Sequence, residues 1–224
     1  MHKITSTACV LAASLAAATA HADSVPVSFD GIGGNYGSTV SVTLSGGYTF
    51  ADGASSKSIW SGQLSHTING IASKTYCTEL TQWASSGTYD IVAVADAPSS
   101  GPMGQQKAEA IYRLFNATNG TQDIDTNAEA AAFQAAIWEI VYDFDSGINI
   151  AGGNVQFGGV SSNLFSLYTG YASDLQGDIT PNVIAYTNDQ FQDQLSMQVV
   201  PLPGVAAMAG LGLGGMAVRR RRQA

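Results

Sequence analysis

Two residues stand out in this sequence for the chemistry their types and placing allow: Cys77 and Gln134. The chain has 2 cysteines, and Cys9 lies in an N-terminal apolar run that reads as a removable leader. Cys77 is then a lone thiol with no disulfide partner in the chain, open to intermolecular pairing, to burial as a small hydrophobe, or to covalent chemistry. Gln134 shares a helical face with Ile137, Trp138 and Val141, at i, i+3, i+4 and i+7, so a primary amide is turned into a core. A buried amide left without partners costs roughly 1 to 3 kcal/mol, and backbone groups or a water can satisfy it. Attack of the Cys77 thiol on the Gln134 amide carbon, with loss of ammonia, would leave an internal thioester and account for both residues together.

Other chemistries fit less well. His66 is the one histidine left after leader removal and has the side chain of a general base, but it lies 11 residues before Cys77, in no recognisable Cys-His pattern. One histidine and one cysteine do not make a three-ligand zinc site, and there is no G-x-S-x-G elbow for a serine nucleophile. Asp123, Asp125, Asp143, Asp145 and Asn149 cluster in sequence without the spacing of a calcium loop; a weak ion site at Asp143 to Asn149 is the residual metal reading, and no metal or cofactor is assigned.

The elements that must position these residues change type along the chain. Val40 to Leu44 alternates as a half-buried strand does, and further strands are predicted at Tyr48 to Ala51, Gln63 to Ile68, Tyr89 to Val94, Asn182 to Thr187 and Leu195 to Val199. Between them, Gln105 to Ala117 has helical spacing, Thr126 to Tyr142 opens on a capping-box pattern with Glu129, and a third helix is predicted from Ser162 to Leu175, ended by Gly177. Strands, then helices, then strands predict an α+β domain: an antiparallel β-sandwich or barrel-like sheet with a central insert of two to three helices.

With 224 residues, 45% of them hydrophobic and 12% charged, the chain suits one globular domain rather than a disordered or coiled-coil protein. Four basic residues lie in the body (Lys57, Lys74, Lys107 and Arg113) against 17 acidic ones, all between Asp23 and Asp193. The resulting negative field disfavours nucleic-acid binding.

The two ends read as addresses. Lys3, the apolar run Ala8 to Ala20, and Ala20-His21-Ala22 make a secretory signal peptide over 1–22, cleaved after Ala22 by signal peptidase. At the far end, over 200–224, Val200-Pro201-Leu202-Pro203 precedes an apolar stretch, Gly204 to Val218, closed by Arg219, Arg220, Arg221 and Arg222. The stretch falls short of the roughly 20 residues of a stable transmembrane span, which suits transient membrane insertion with the arginines held on the cytoplasmic side. This tail resembles the PEP-CTERM sorting signal of Gram-negative bacteria, with Leu202 where that family has Glu; the resemblance implies processing by an exosortase-type protease and delivery to the cell surface or extracellular matrix.

The body, 23–199, carries a second resemblance. Tyr76-Cys77-Thr78-Glu79, the helical Tyr112-Arg113-Leu114-Phe115 and Phe133-Gln134-Ala135-Ala136-Ile137-Trp138-Glu139 are similar to segments of the thioester domain of bacterial surface adhesins, with Phe133 where that family has Thr. The resemblance implies that Cys77 is the thioester sulfur and Gln134 the acyl donor, with Ala136, Ile137 and Trp138 packed around them. It further implies a single-turnover covalent hook for a surface amine, with no catalytic turnover. The alternative is a non-covalent matrix protein that binds polysaccharide through exposed aromatics such as Trp60 and Trp83.

Overall fold

The computed structural model describes residues 24–197. The signal-peptide and sorting-tail assignments, Val200, Pro201, Pro203 and the four arginines included, lie outside the described residues. Among the described residues no helix is long and apolar enough to cross a membrane.

Six strands close into an antiparallel barrel: β1 (Ser24–Gly31), β4 (Leu64–Ile68), β5 (Ile71–Cys77), β9 (Gln194–Met197), β8 (Val183–Thr187) and β6 (Gly87–Val92), in that order around the ring. Closure leaves no free sheet edge in this group. A second, three-stranded sheet sets β2 (Gly37–Leu44) between β3 (Ser56–Gly62) and β7 (Val155–Gly158). In β2, Val40, Val42 and Leu44 alternate inward and are buried, as period-two patterning requires. The chain passes from the small sheet into the barrel within one residue, from Gly62 to Leu64, where Gly37 and Gly62 pair face to face.

Three helices fill the space beside the barrel: α1 (Gly104–Ala117), α2 (Asn127–Asp143) and α3 (Ser162–Ser173). α2 starts at Thr126, whose hydroxyl accepts from the Glu129 N–H at 3.2 Å while Glu129 Oε2 accepts from the Thr126 N–H at 3.0 Å, the reciprocal cap expected from the sequence. From Ala130 to Ile140 every residue of α2 is buried, because it contacts the small sheet, β5 and α3 together. One face joins the core of Tyr76, Phe115, Phe133 and Tyr168; the other joins Val42, Leu64, Cys77, Leu80 and Trp138.

The α+β class, the barrel-like sheet and the helical insert are as the sequence predicts. Several boundaries differ. Tyr48 to Ala51 is a loop, not a strand: Gly46 and Gly47 take positive φ, Phe50 N–H donates to Ala54 O and Gly53 N–H to Phe50 O, so Phe50 is buried as the anchor of a turn. The strand expected at Tyr89 to Val94 ends at Val92, with a 3-10 turn at Val94–Asp96, and α3 stops before Asp174. Strands β1, β3, β5 and β7 were not evident from patterning; β5, which carries Cys77, is irregular in burial because only its last three residues face the core.

Candidate functional site

Cys77 ends β5, where it pairs with Gln194 of β9. On its other side β4 begins only at Leu64, opposite Thr75, so beyond that point β5 has no strand neighbour there. The main chain of Cys77 is satisfied instead by a side chain. Cys77 N–H donates to Gln134 Oε1 at 2.9 Å, and Gln134 Nε2 donates to Cys77 O at 2.8 Å. The carboxamide of α2 thus takes the place of a missing strand residue, and Gln134 is fully buried. Two turns further along the same helix, Tyr142 Oη accepts from the Leu80 N–H at 2.9 Å, so α2 grips the segment after β5 at two points.

The sulfur of Cys77 is a free thiol whose S–H donates to Gln192 Oε1 at 2.9 Å. Burial pushes this thiol up to about 12, so it stays protonated at neutral pH. Gln192 is held by its own N–H to Trp83 O at 3.1 Å and by Nε2 to Glu79 O at 2.5 Å. Gln194 Nε2 lies 3.9 Å from the sulfur and donates to Gln192 O at 3.1 Å. That orientation leaves Gln194 Oε1 to accept from Thr75 Oγ1 at 3.0 Å, so the 2.8 Å contact between Thr75 Oγ1 and His66 Nδ1 has the imidazole as donor.

His66 therefore reaches Cys77 only through Thr75 and Gln194 and does not touch the thiol. It is buried, and desolvation lowers it to about 4, which keeps it neutral. Behind the thiol lies a buried acid pair. Glu79 accepts from Asp193 N–H at 3.2 Å, Ser100 Oγ at 3.0 Å and Thr81 Oγ1 at 3.1 Å, and Asp193 accepts from the Ser99 and Asn188 N–H groups at 2.5 and 2.6 Å. Burial raises Glu79, and raises Asp193 to about 7.

A cleft of about 330 Å³ opens onto Cys77, lined by Phe29, Ile32, Trp60, Leu80, Trp83 and neighbouring apolar side chains, with Gln192 as its polar contributor. It has no charged lining residue. Trp60 is half-buried over Gly37 and donates Nε1–H to Gln63 O at 3.0 Å; Trp83 is 42% exposed but stacks on Phe50 and carries Lys57 Nζ 5.5 Å from its ring centroid. The two tryptophans wall the cleft on the thiol rather than form a separate open platform.

The structure brings the two residues singled out in the sequence together and adds two that sequence reading missed, Gln192 and Gln194. Their i, i+2 spacing next to a strand is the only signal the sequence held, and it says nothing of a partner 115 residues away. The acidic cluster near the end of α2 does local work: Asp143 accepts the Asn154 and Val155 N–H groups at 2.7 to 2.8 Å, holding the loop before β7, and no group of three or more metal-ligating side chains forms among the described residues.

No protein-family model matches the chain, and no curated protein is similar to it. Two solved structures resemble it. One is the N-terminal thioester domain of a surface protein from Clostridium perfringens, at 14% identity and TM-score 0.38, covering 72% of this chain and 99% of that one. The other is a cysteine-to-alanine mutant of that domain, at 14% identity and TM-score 0.40, covering 73% of this chain and all of the other.

Proposed function

We propose that this protein is an exported surface adhesin that carries an internal Cys77–Gln134 thioester and uses it once, to acylate an amine on its target. The observation that carries the reading is the two-point seat of the Gln134 carboxamide on the main chain of Cys77 itself, directly behind an apolar cleft that Cys77 lines. In a strand the N–H and C=O of a residue point to one side while its side chain stands off the sheet plane. An amide bonded to that N–H and C=O therefore lies edge-on to the main chain of the residue whose thiol would attack it.

Thioester formation breaks the Gln134 Cδ–Nε2 bond and forms Cδ–Sγ; the thiol proton leaves with the nitrogen as ammonia. Cys77 N–H, 2.9 Å from Oε1, is already placed where negative charge develops on the carbonyl. Enclosure then protects the product from water. Attack by an amine forms a Cδ–N bond, breaks Cδ–Sγ and returns the proton to sulfur. The high thiol pKa favours that protonated product, and a single bond is made per molecule.

Delivery belongs to the ends of the sequence. We assign residues 1–22 to secretion through signal peptidase and 200–224 to a PEP-CTERM-type tail, briefly inserted in the membrane and read by an exosortase-type protease, with the cell surface or extracellular matrix as destination.

The test is the intact mass of residues 23–200, before and after methylamine, beside Cys77→Ala. Loss of one ammonia, followed by methylamine addition at Gln134 and appearance of one titratable thiol, all absent in the variant, is the expected result. An unshifted mass with an inert thiol would sink the covalent reading and leave the non-covalent, polysaccharide-binding matrix protein, to be tested by glycan binding with Trp60→Ala and Trp83→Ala.

A further inference from the structure

Gln192 has no place in the scheme so far, yet it is 6% exposed and its carboxamide oxygen lies 2.9 Å from the reacting sulfur. Its other polar atoms are fixed: N–H on Trp83 O, Nε2 on Glu79 O. The side chain therefore cannot turn its amide over without losing a bond. In the thiol state Oε1 receives the Cys77 S–H. Once sulfur is acylated that hydrogen is gone, and a buried carbonyl oxygen is left facing the thioester from the cleft side with no donor.

We infer that Gln192 positions the incoming nucleophile: in the thioester state its Oε1 accepts an N–H of a neutral primary amine, while the apolar cleft between Trp60 and Trp83 receives the alkyl stem that carries it. The inference rests on the thioester reading and adds to it which residue orients the amine and which stem the site prefers. A primary amine can donate one N–H to Gln192 and keep its lone pair for Gln134 Cδ. As the C–N bond forms and the C–S bond breaks, the electron pair goes to sulfur and the amine proton follows it, restoring the S–H that Gln192 first held. Gln194 Nε2, 3.9 Å from the sulfur, is the donor on the departing side. The cleft has no carboxylate to welcome an ammonium ion and enough apolar wall to bury several methylenes.

The experiment uses the exported protein and three readouts: ammonia loss by intact mass, second-order rates with methylamine, butylamine and hexylamine, and the rate with ethanethiol, which attacks as a thiolate and donates no N–H. Wild type is expected to lose ammonia and to react faster along the amine series, by about threefold or more per added methylene until the cleft is filled. Gln192→Met should still lose ammonia but react with amines roughly tenfold to hundredfold more slowly, with the ethanethiol rate held within about twofold. Loss of ammonia with equal rates along the amine series, or with amine and thiol rates falling together in Gln192→Met, overturns the positioning role alone. Absence of ammonia loss in wild type overturns the thioester reading and this inference with it.

Discussion

The carboxamide of Gln134 pairs with the main chain of Cys77 through two hydrogen bonds, at 2.9 and 2.8 Å, as a neighbouring strand would. The amide thereby closes the open flank of β5 at the residue that carries the one thiol of the described chain. The contact has a structural use, and the proposed thioester would give it a chemical one; the two are separable by experiment.

Replacing Gln134 by leucine strands a buried N–H and a buried C=O of Cys77. Each unpaired group costs about 1 to 3 kcal/mol, so Gln134→Leu should lose roughly 2 to 6 kcal/mol in urea unfolding. Cys77→Ala keeps both main-chain groups paired and should lose less. Equal losses would mean that the amide does not hold β5.

The Thr126–Glu129 capping box sets the start of α2 and so the height at which Gln134 meets β5. Thr126→Ala should cost about 1 kcal/mol by thermal unfolding, and Thr126→Ser nearly nothing. A serine variant as damaged as the alanine one would show that the methyl, not the hydroxyl, matters.

Gly62 has φ +145°, and a Cβ there would lie 2.5 Å from both Gly37 Cα and Tyr36 O. Backbone on both sides leaves no flexible atom to give way, so Gly62→Ala should lose about 1 to 3 kcal/mol and disturb Trp60 fluorescence. Gly33, with open space around it, is the control, and Gly33→Ala should be nearly neutral.

Stability should fall from about pH 5 to about pH 8. Burial raises Asp193 and Glu139 each to about 7 and raises Glu79 as well. A carboxyl that holds its proton more tightly folded than unfolded adds stability below its ordinary value near 4, and that stability is lost as pH rises through the folded value. His66, lowered by burial to about 4, acts in the other sense: its contribution is whole above 6.5 and is lost as pH falls toward 4. Three carboxyls outweigh one imidazole over the shared range. The denaturation midpoint should therefore be lower at the alkaline end, and Asp193→Asn should flatten the decline. A midpoint that rises with pH would show that these carboxyls are solvated.

What the sequence determined by itself is local. The capping box, the 3.6-residue apolar stripe of α2, the alternation of β2 and the α+β order all follow from neighbours within about a turn or a strand, and so does the inward direction of Gln134. The oddity of a lone thiol needed only counting. What the tertiary structure decided is everything that depends on strand ends and ring closure. β4 starts two residues too late to cover Cys77, which is why an amide from a helix 57 residues away is seated there. The loop between β8 and β9 brings Gln192, and the start of β9 brings Gln194, to the sulfur from 115 and 117 residues away. Phe50 reads as part of a strand but anchors a turn, because Gly46 and Gly47 redirect the chain before any partner can pair with it. Side-chain type and periodicity are written in the chain; which main-chain groups are left unpaired, and what comes to meet them, is settled only when the barrel closes.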